Sequence, residues 1–184
     1  MAGATNTEPL IPTDIILLLI AAPGGAPAGK LNGITRLEKL VFLIAQETSV
    51  NQQSDDLFKF EAYNYGPYSK EVYEAVDLLE DLKLITERRE YEDSGLDEME
   101  ESTVVASENE GVDRAGVERR FSLTSDGKKV AQALAQQHSK VNEAIAEIRS
   151  RYGRMSLRQL IRYVYACYPA YAEKSVIRDN VKRT

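Results

Sequence analysis

One stretch of the chain has the spacing of a phosphate-binding loop. Residues 24–30 match the pattern G-x-x-x-x-G-K after an apolar run, in which backbone N–H groups and a lysine would surround phosphates. Leu31 stands where this motif needs a Ser or Thr hydroxyl for magnesium, and Gly33 interrupts the helix that should begin there. The pattern therefore does not predict nucleotide binding.

The other residues with catalytic potential are isolated in the sequence. His138 is the single histidine and Cys167 the single cysteine, so they cannot build a disulfide framework or the usual zinc sites. Carboxylates are abundant, but acid–base catalysis needs two of them held at a fixed separation with different pKa values. We therefore predict no enzymatic activity, no metal and no cofactor.

Cysteine usage and hydropathy indicate where the protein resides. A chain with one cysteine fits a reducing cytoplasm. The apolar run of residues 15–22 is far shorter than the ~20 residues that span a bilayer, and no basic segment precedes it. We expect a cytoplasmic protein without a membrane segment, in which this run is a core helix.

Acidic residues are concentrated in one segment. Residues 87–118 contain twelve acidic side chains against three arginines, a net charge of −9. Because the whole chain carries −6, the remainder carries +3. We predict an acidic disordered insertion at about residues 92–116, since it has few large apolar groups and repels itself. Three roles are open for this insertion: it is a solvated spacer, it attracts a basic partner, or it covers the neighbouring arginines electrostatically.

Arginines flank this insertion and recur near the C-terminus. They could touch the phosphates of a nucleic acid without reading its bases, or pair with the acidic side chains of the same chain. The candidate nucleic-acid contacts are Arg88, Arg89, Arg119, Arg120, Arg158 and Arg162.

Carboxylates and tyrosines surround a Gly66-Pro67 dipeptide. The third predicted helix directs its carboxylates outward, which would repel phosphates, and tyrosine combines a large apolar ring with a hydroxyl that tolerates water. This composition favours contact with a protein. The candidate contact residues are Glu71, Glu74, Asp77, Tyr63, Tyr65 and Tyr68.

Helical and strand periods predict the elements that position these side chains. After a flexible arm of residues 1–12, we expect helices near 13–22 and 34–47 and a strand over 58–65 that Gly66-Pro67 ends. Ser69 can begin a third helix whose apolar stripe is Val72, Val76, Leu79 and Leu82. Strands at 84–91 and 117–124 follow. Three helices and then a hairpin predict a mostly α, winged-helix-like domain over residues 13–124.

The C-terminal part, residues 125–184, reads as a helical extension. A single helix is predicted from about 125 to 152, followed by a last helix that Ser156 and Gln159 can cap and that ends near residue 168. Apolar residues in the long helix follow near-heptad spacing. They could form a homodimer interface or pack on their own domain. The residues concerned are Leu134, Val141, Ile145 and Ile148.

Two sequence blocks carry a family resemblance. ITRLEKLVFLIAQE, followed by FKFEAYNYGPYSKEVYEAVDLLEDLKLI, resembles the YwgA-like proteins and the related Panacea domain of SocA-type antitoxins, in which a Leu-Lys-Leu helix precedes a Tyr-Gly-Pro turn. The likeness covers about residues 34–85, with weaker similarity at FSLTSDG and RYVYACYP. It implies a winged-helix-like fold, no catalysis, and regulation or toxin neutralisation through protein contact.

These observations lead to a ranked expectation. We expect a non-enzymatic, winged-helix regulatory protein that binds another protein, such as a toxin or defence protein. The alternative is a winged-helix DNA-binding transcriptional regulator, since the arginines allow phosphate contact although the third helix is acidic.

Overall fold

Helix α1, Pro12–Ala21, lies at the centre of the fold in the computed structural model, which describes residues 9–25, 27–50, 57–91, 117–175 and 177. Its six consecutive residues from Ile15 to Ile20 are all at most 1% exposed. A helix that is apolar on every side is stable only when it is surrounded, and α1 packs against four other helices. The predicted core helix is therefore confirmed. The insertion at 92–116 and most of the predicted arm lie outside the described residues.

The described part of the chain is mostly helical, with six α-helices and a small antiparallel sheet. After α1 the elements are β1 Lys30–Asn32, α2 Ile34–Glu47, β2 Glu61–Tyr63, β3 Gly66–Tyr68, α3 Lys70–Asp81, β4 Ile85–Tyr91, β5 Val117–Leu123, α4 Ser125–Gln137, α5 Ser139–Tyr152, α6 Leu157–Cys167 and a 3-10 turn Pro169–Ala172.

The larger sheet has the strand order β1-β5-β4 and is antiparallel throughout. Strands β4 and β5 pair in register, with Ile85 opposite Leu123 and Arg88 opposite Arg120. Because side chains alternate along a strand, Ile85 shares the core-facing side of the sheet with Leu123 and Phe121, whereas Arg88 and Arg120 share the opposite face. The short strand β1 is added at the free edge of β5, with Leu31 opposite Phe121.

A second hairpin, β2–β3, corrects the predicted strand over residues 58–65. Strand β3 returns beside β2, with Tyr63 opposite Gly66, and the two residues between them form the turn. Gly66 and Pro67 were predicted to end the strand, but they belong to β3. Gly66 has φ 95°, a left-handed angle that glycine adopts without steric cost. The chain therefore reverses two residues earlier than expected.

The end of helix α3 corrects the predicted position of Leu82. The helix stops at Asp81, and Lys83 takes the left-handed φ of 57° while the N–H of Leu84 donates to the carbonyl of Leu79 at 3.0 Å. This hydrogen bond is typical of a helix terminus with a left-handed residue. Leu82 therefore leaves the apolar stripe and is 57% exposed, although its helical spacing predicted burial.

The predicted long helix of residues 125–152 is broken. His138, with φ −121° and ψ 52°, separates α4 from α5. The break allows α4 to pack beside β5 and α5 to pack beside α2, which one straight helix could not do while both halves also contact α1. One buried cluster contains side chains from Ile15 to Ile177, so the C-terminal helices share the core of the preceding elements.

None of the helices in the described ranges has the length and apolar character that crossing a membrane requires.

Candidate functional site

A buried ion pair on α2 supports the turn that leads into α3. The ammonium group of Lys39 donates to a carboxylate oxygen of Glu38 at 2.7 Å, and both residues are at most 3% exposed. Burial raises the pKa of the Glu38 carboxyl, and the Lys39 ammonium opposes this rise. A paired charge inside a core is costly unless its remaining hydrogen-bonding groups are also satisfied.

Both members of the pair bind the backbone of the turn. Lys39 donates to the carbonyl of Pro67 at 2.7 Å, and the N–H of Ser69 donates to Glu38 at 3.3 Å. Sequence analysis did not select these two residues as functional. The available signal was their position in α2, where two charged side chains interrupt an otherwise apolar run that continues to Ala45.

The start of α3 is also held by its own side chains. Ser69 occupies the N-cap position as predicted, but its hydroxyl donates to the Glu71 carboxylate at 2.6 Å instead of accepting a backbone N–H. The N–H of Lys59 reaches the same carboxylate at 3.3 Å. The pKa of the Glu71 carboxyl is lowered. Burial alone would raise this pKa, but hydrogen bonds from the Ser69 hydroxyl and from the backbone N–H groups of Glu71 and Lys59 outweigh it. Glu71 is thus half-buried and fixed, and contributes less to the surface than predicted.

Three of the tyrosines near this turn form a row. The ring centroids of Tyr63 and Tyr68 lie 5.2 Å apart, and those of Tyr68 and Tyr73 lie 5.4 Å apart. Tyr63 is 42% exposed and the other two are half-buried. Tyr65, which was predicted to contact a partner, is buried in the core. Sequence reasoning therefore identified the aromatic cluster but not which of its members reach the surface.

Helix α3 presents a surface that combines carboxylates with exposed leucines. Glu74 and Asp77 are exposed as predicted, and Glu74 pairs with Lys70 at 2.6 Å on the surface. Leu78 is 47% exposed and Leu82 is 57% exposed. We call this surface the α3 outer face and define it by the exposed residues Glu74, Asp77, Leu78, Asp81 and Leu82. Two exposed leucines among carboxylates were not anticipated, since periodicity had assigned Leu82 to the core.

The arginines of the β4–β5 hairpin divide into two sets. Glu87 accepts hydrogen bonds from Arg119 at 2.6 Å and from Arg89 at 2.9 Å. Burial opposes the shift, but these two guanidinium groups lower the pKa of Glu87. Arg119 and Arg89, which were predicted as phosphate contacts, therefore pair with Glu87 in the same chain. Arg88 and Arg120 project from the other side of the hairpin.

The remaining predicted contacts lie on the C-terminal helices. Arg158 and Arg162 are exposed on α6. The candidate dimer stripe is not exposed, because Val141, Ile145 and Ile148 are buried at 6%, 0% and 2% in the core of the same chain, and Leu134 is half-buried. The physical reason is the break at residue 138, which turns α5 so that its apolar side faces α1 and α2.

A carboxylate surrounded by tyrosines joins α2 to the C-terminal helices, and sequence analysis missed it. Glu47 accepts from the hydroxyls of Tyr152 at 2.6 Å, Tyr163 at 2.9 Å and Tyr168 at 3.3 Å. Burial, followed by the charge of Glu47, raises the pKa of Tyr168 to about 12. The phenols therefore stay protonated and act as donors. The recurring tyrosines of residues 163–171 thus serve partly to fix α6 against α2.

Neither a metal site nor a phosphate loop is formed by these residues. Across the described ranges, no group of three or more His, Cys, Asp and Glu side chains is placed to hold a metal ion. The G-x-x-x-x-G-K stretch leads into strand β1 instead of a helix. Its glycines pack closely, since a Cβ on Gly25 would lie 2.0 Å from the carbonyl oxygen of Gly153.

Comparison with known families matches most of the chain to one family model. The family described as Antitoxin SocA-like, Panacea domain, matches residues 37–168. This range begins on α2, includes the ion pair and the turn that it supports, and ends at Tyr168, which contacts Glu47. No curated protein and no solved structure matches the chain.

Proposed function

Because the chain belongs to the SocA-like antitoxin Panacea family, we propose that it is a non-enzymatic cytoplasmic regulatory protein that neutralises or recruits a protein partner through the α3 outer face. The family supports an antitoxin-like role and a protein partner. The observation that carries the proposal is the exposure of Leu78 and Leu82 among carboxylates on this face.

The composition of the α3 outer face suits a protein better than a nucleic acid. Exposed leucines supply apolar area that becomes buried on association, and surrounding carboxylates select a partner of opposite charge. The row formed by Tyr63, Tyr68 and Tyr73 adjoins the start of α3 and extends the same surface with rigid aromatic rings. We infer a partner with a basic rim around an apolar centre, such as a toxin.

We further assign the domain to the winged-helix class. The order helix, strand, helix, helix, strand, strand supports this assignment, as does the sheet order β1-β5-β4, in which the last two strands form the wing. The β2–β3 hairpin is an addition between α2 and α3. In this class the third helix commonly enters the major groove of DNA. Here that helix is acidic, so we infer that it serves protein contact.

DNA binding is the alternative function, and one observation favours it. Arg88 and Arg120 lie opposite each other on the face of the wing that points away from the core. Arginines on a wing contact phosphates in sequence-independent binding. The exposed Arg158 and Arg162 on α6 would add to this contact.

One set of variants tests the two functions against each other. The partner is captured with the wild-type protein, identified by mass spectrometry, purified and titrated. Glu74→Lys/Asp77→Lys should weaken its binding at least tenfold, since like charges then meet across the interface. Leu82→Ser should weaken it by removing apolar contact. The matched control, Glu143→Lys on the exposed surface of α5, should bind normally.

The same variants are titrated with duplex DNA at low and moderate salt. If Glu74→Lys/Asp77→Lys still binds the purified partner with wild-type affinity, the proposal of protein contact through α3 is wrong. If Arg88→Ala/Arg120→Ala alone abolishes a specific DNA complex of the wild-type protein, the alternative function is supported instead.

A further inference from the structure

A cleft lined by arginines lies at the junction of α5 and α6, away from the α3 outer face. Its volume is about 580 Å³, and three guanidinium side chains reach it from different elements: Arg36 from α2, Arg149 from α5 and Arg154 from the link to α6. Asn32, Ser156 and Gln159 add polar groups to its lining. Sequence analysis noted that arginines are frequent here but did not bring these three together.

Arg149 is an unusual residue because its charge is buried without a carboxylate. It is 1% exposed, and its guanidinium donates to the carbonyls of Gly24 at 2.8 Å and Lys30 at 2.7 Å. Within the described residues, neither Asp nor Glu forms an ion pair with it. A guanidinium carries five N–H groups, and these two bonds use two of them. Burial, followed by repulsion from Arg36, lowers the pKa of Arg149 to about 10.

The other two arginines add positive charge at the same place. Arg36 is oriented by its bond to the carbonyl of Met155 at 2.5 Å, and its charge acts on Arg149. Arg154 is exposed at the mouth of the cleft. Three like charges around one cavity repel each other, and that cost falls when an anion occupies the space between them.

Helix α6 begins at the same cleft. Ser156 caps it by accepting from the N–H of Gln159 at 3.2 Å, and both residues line the cavity. The first turn of a helix has unpaired N–H groups and a partial positive charge, which favour an anion. A carboxylate offers one charge and two oxygens, whereas a phosphate monoester offers nearly two charges and three oxygens to donors from several directions.

We propose that this cleft binds a phosphate group, held by the guanidinium groups of Arg149, Arg36 and Arg154 at the start of α6. The phosphate belongs either to a small phosphate ester, such as a nucleotide, or to the backbone of a nucleic acid. The site is independent of the α3 outer face, so it does not depend on the proposed partner.

The test uses the full-length protein and three probes: inorganic phosphate, a nucleoside triphosphate and a 12-nucleotide single-stranded DNA. Each is titrated calorimetrically and by thermal shift, with sodium chloride added to equal ionic strength. We expect saturable binding of at least one probe and a higher Tm. Arg154→Ala should weaken this binding by about tenfold or more without unfolding the protein, because Arg154 is exposed.

Lys140→Ala is the control, since Lys140 is an exposed cation on α5 that does not line the cleft. This variant should bind each probe with an affinity within about twofold of the wild-type value. Tighter binding of the nucleotide identifies a small ester, and tighter binding of the DNA with a steep salt dependence identifies the nucleic-acid backbone. The proposal is overturned if no probe binds the wild-type protein, or if Lys140→Ala weakens binding as much as Arg154→Ala.

Discussion

The ammonium group of Lys39 donates a hydrogen bond of 2.7 Å to the carbonyl of Pro67, across 28 positions of sequence. This bond joins the two sequence blocks that carry the family resemblance, because Lys39 belongs to the first block, ITRLEKLVFLIAQE, and Pro67 to the Tyr-Gly-Pro turn of the second. The two blocks therefore form one structural unit, in which a buried ion pair positions the start of α3.

Replacing Lys39 should destabilise the protein strongly. In Lys39→Met the Glu38 carboxylate and the Pro67 carbonyl lose their buried partner, and breaking such a pair costs about 3–5 kcal/mol. Urea unfolding measures the change. Lys140→Met, on the exposed surface of α5, is the control and should change stability little. Glu38→Gln/Lys39→Met should recover part of the loss, because it removes the unpaired charge. If Lys39→Met unfolds at the same urea concentration as the wild type, the Glu38–Lys39 ion pair does not stabilise the fold.

Gly66 should tolerate no side chain. Its φ of 95° is unfavourable for other residues, and a Cβ would lie 2.7 Å from Cε1 of Tyr165. We expect Gly66→Ala to cost roughly 1–3 kcal/mol. Gly29→Ala is the matched control, since Gly29 also has a positive φ of 81° but would meet neighbours only at 3.7 Å or beyond. Equal losses of Tm in the two variants would mean that contact with Tyr165 contributes nothing.

Glu87 should make stability depend on acidic pH. Its pKa is lowered in the folded protein, so its contribution is present above the ordinary value of 4.5 and is lost as pH falls through the folded pKa. Urea unfolding between pH 7 and pH 3 should therefore show a smaller decline for Glu87→Gln than for the wild type. The control is Glu143→Gln, an exposed carboxylate, which should follow the wild-type curve. If the free energy of unfolding falls equally with pH in the wild type and in Glu87→Gln, the lowered pKa of Glu87 does not contribute to stability.

Ile145 should act within the monomer core and not between two copies. Ile145→Glu places an unpaired charge where the side chain is 0% exposed, so the protein should lose its cooperative unfolding transition or most of its stability. Light scattering should give the same mass for the wild type at low and high micromolar concentration. A wild-type Tm that rises with protein concentration, or a folded monomeric Ile145→Glu, would show instead that this residue belongs to an interface.

Local patterns in the sequence determined where most elements lie. The helix Ile34–Glu47 was predicted at its observed bounds, and the capping box of Ser156 and Gln159 begins α6 as expected. Both strands of the β4–β5 hairpin lie within one residue of their predicted limits. These features depend on side-chain spacing and caps within a few residues, which a sequence displays directly.

Tertiary structure alone decided which of these residues form sites. Leu82 is exposed because α3 ends one residue earlier, and Tyr65 is buried because the turn of the β2–β3 hairpin packs its ring into the core. The break at His138 follows from two halves of a helix packing on different neighbours. Charged residues such as Lys39 and Arg149 look like surface positions in sequence, since the carbonyls that bind them come from distant segments. Burial and long-range hydrogen bonding are properties of the packed chain, and periodicity within one element does not encode them.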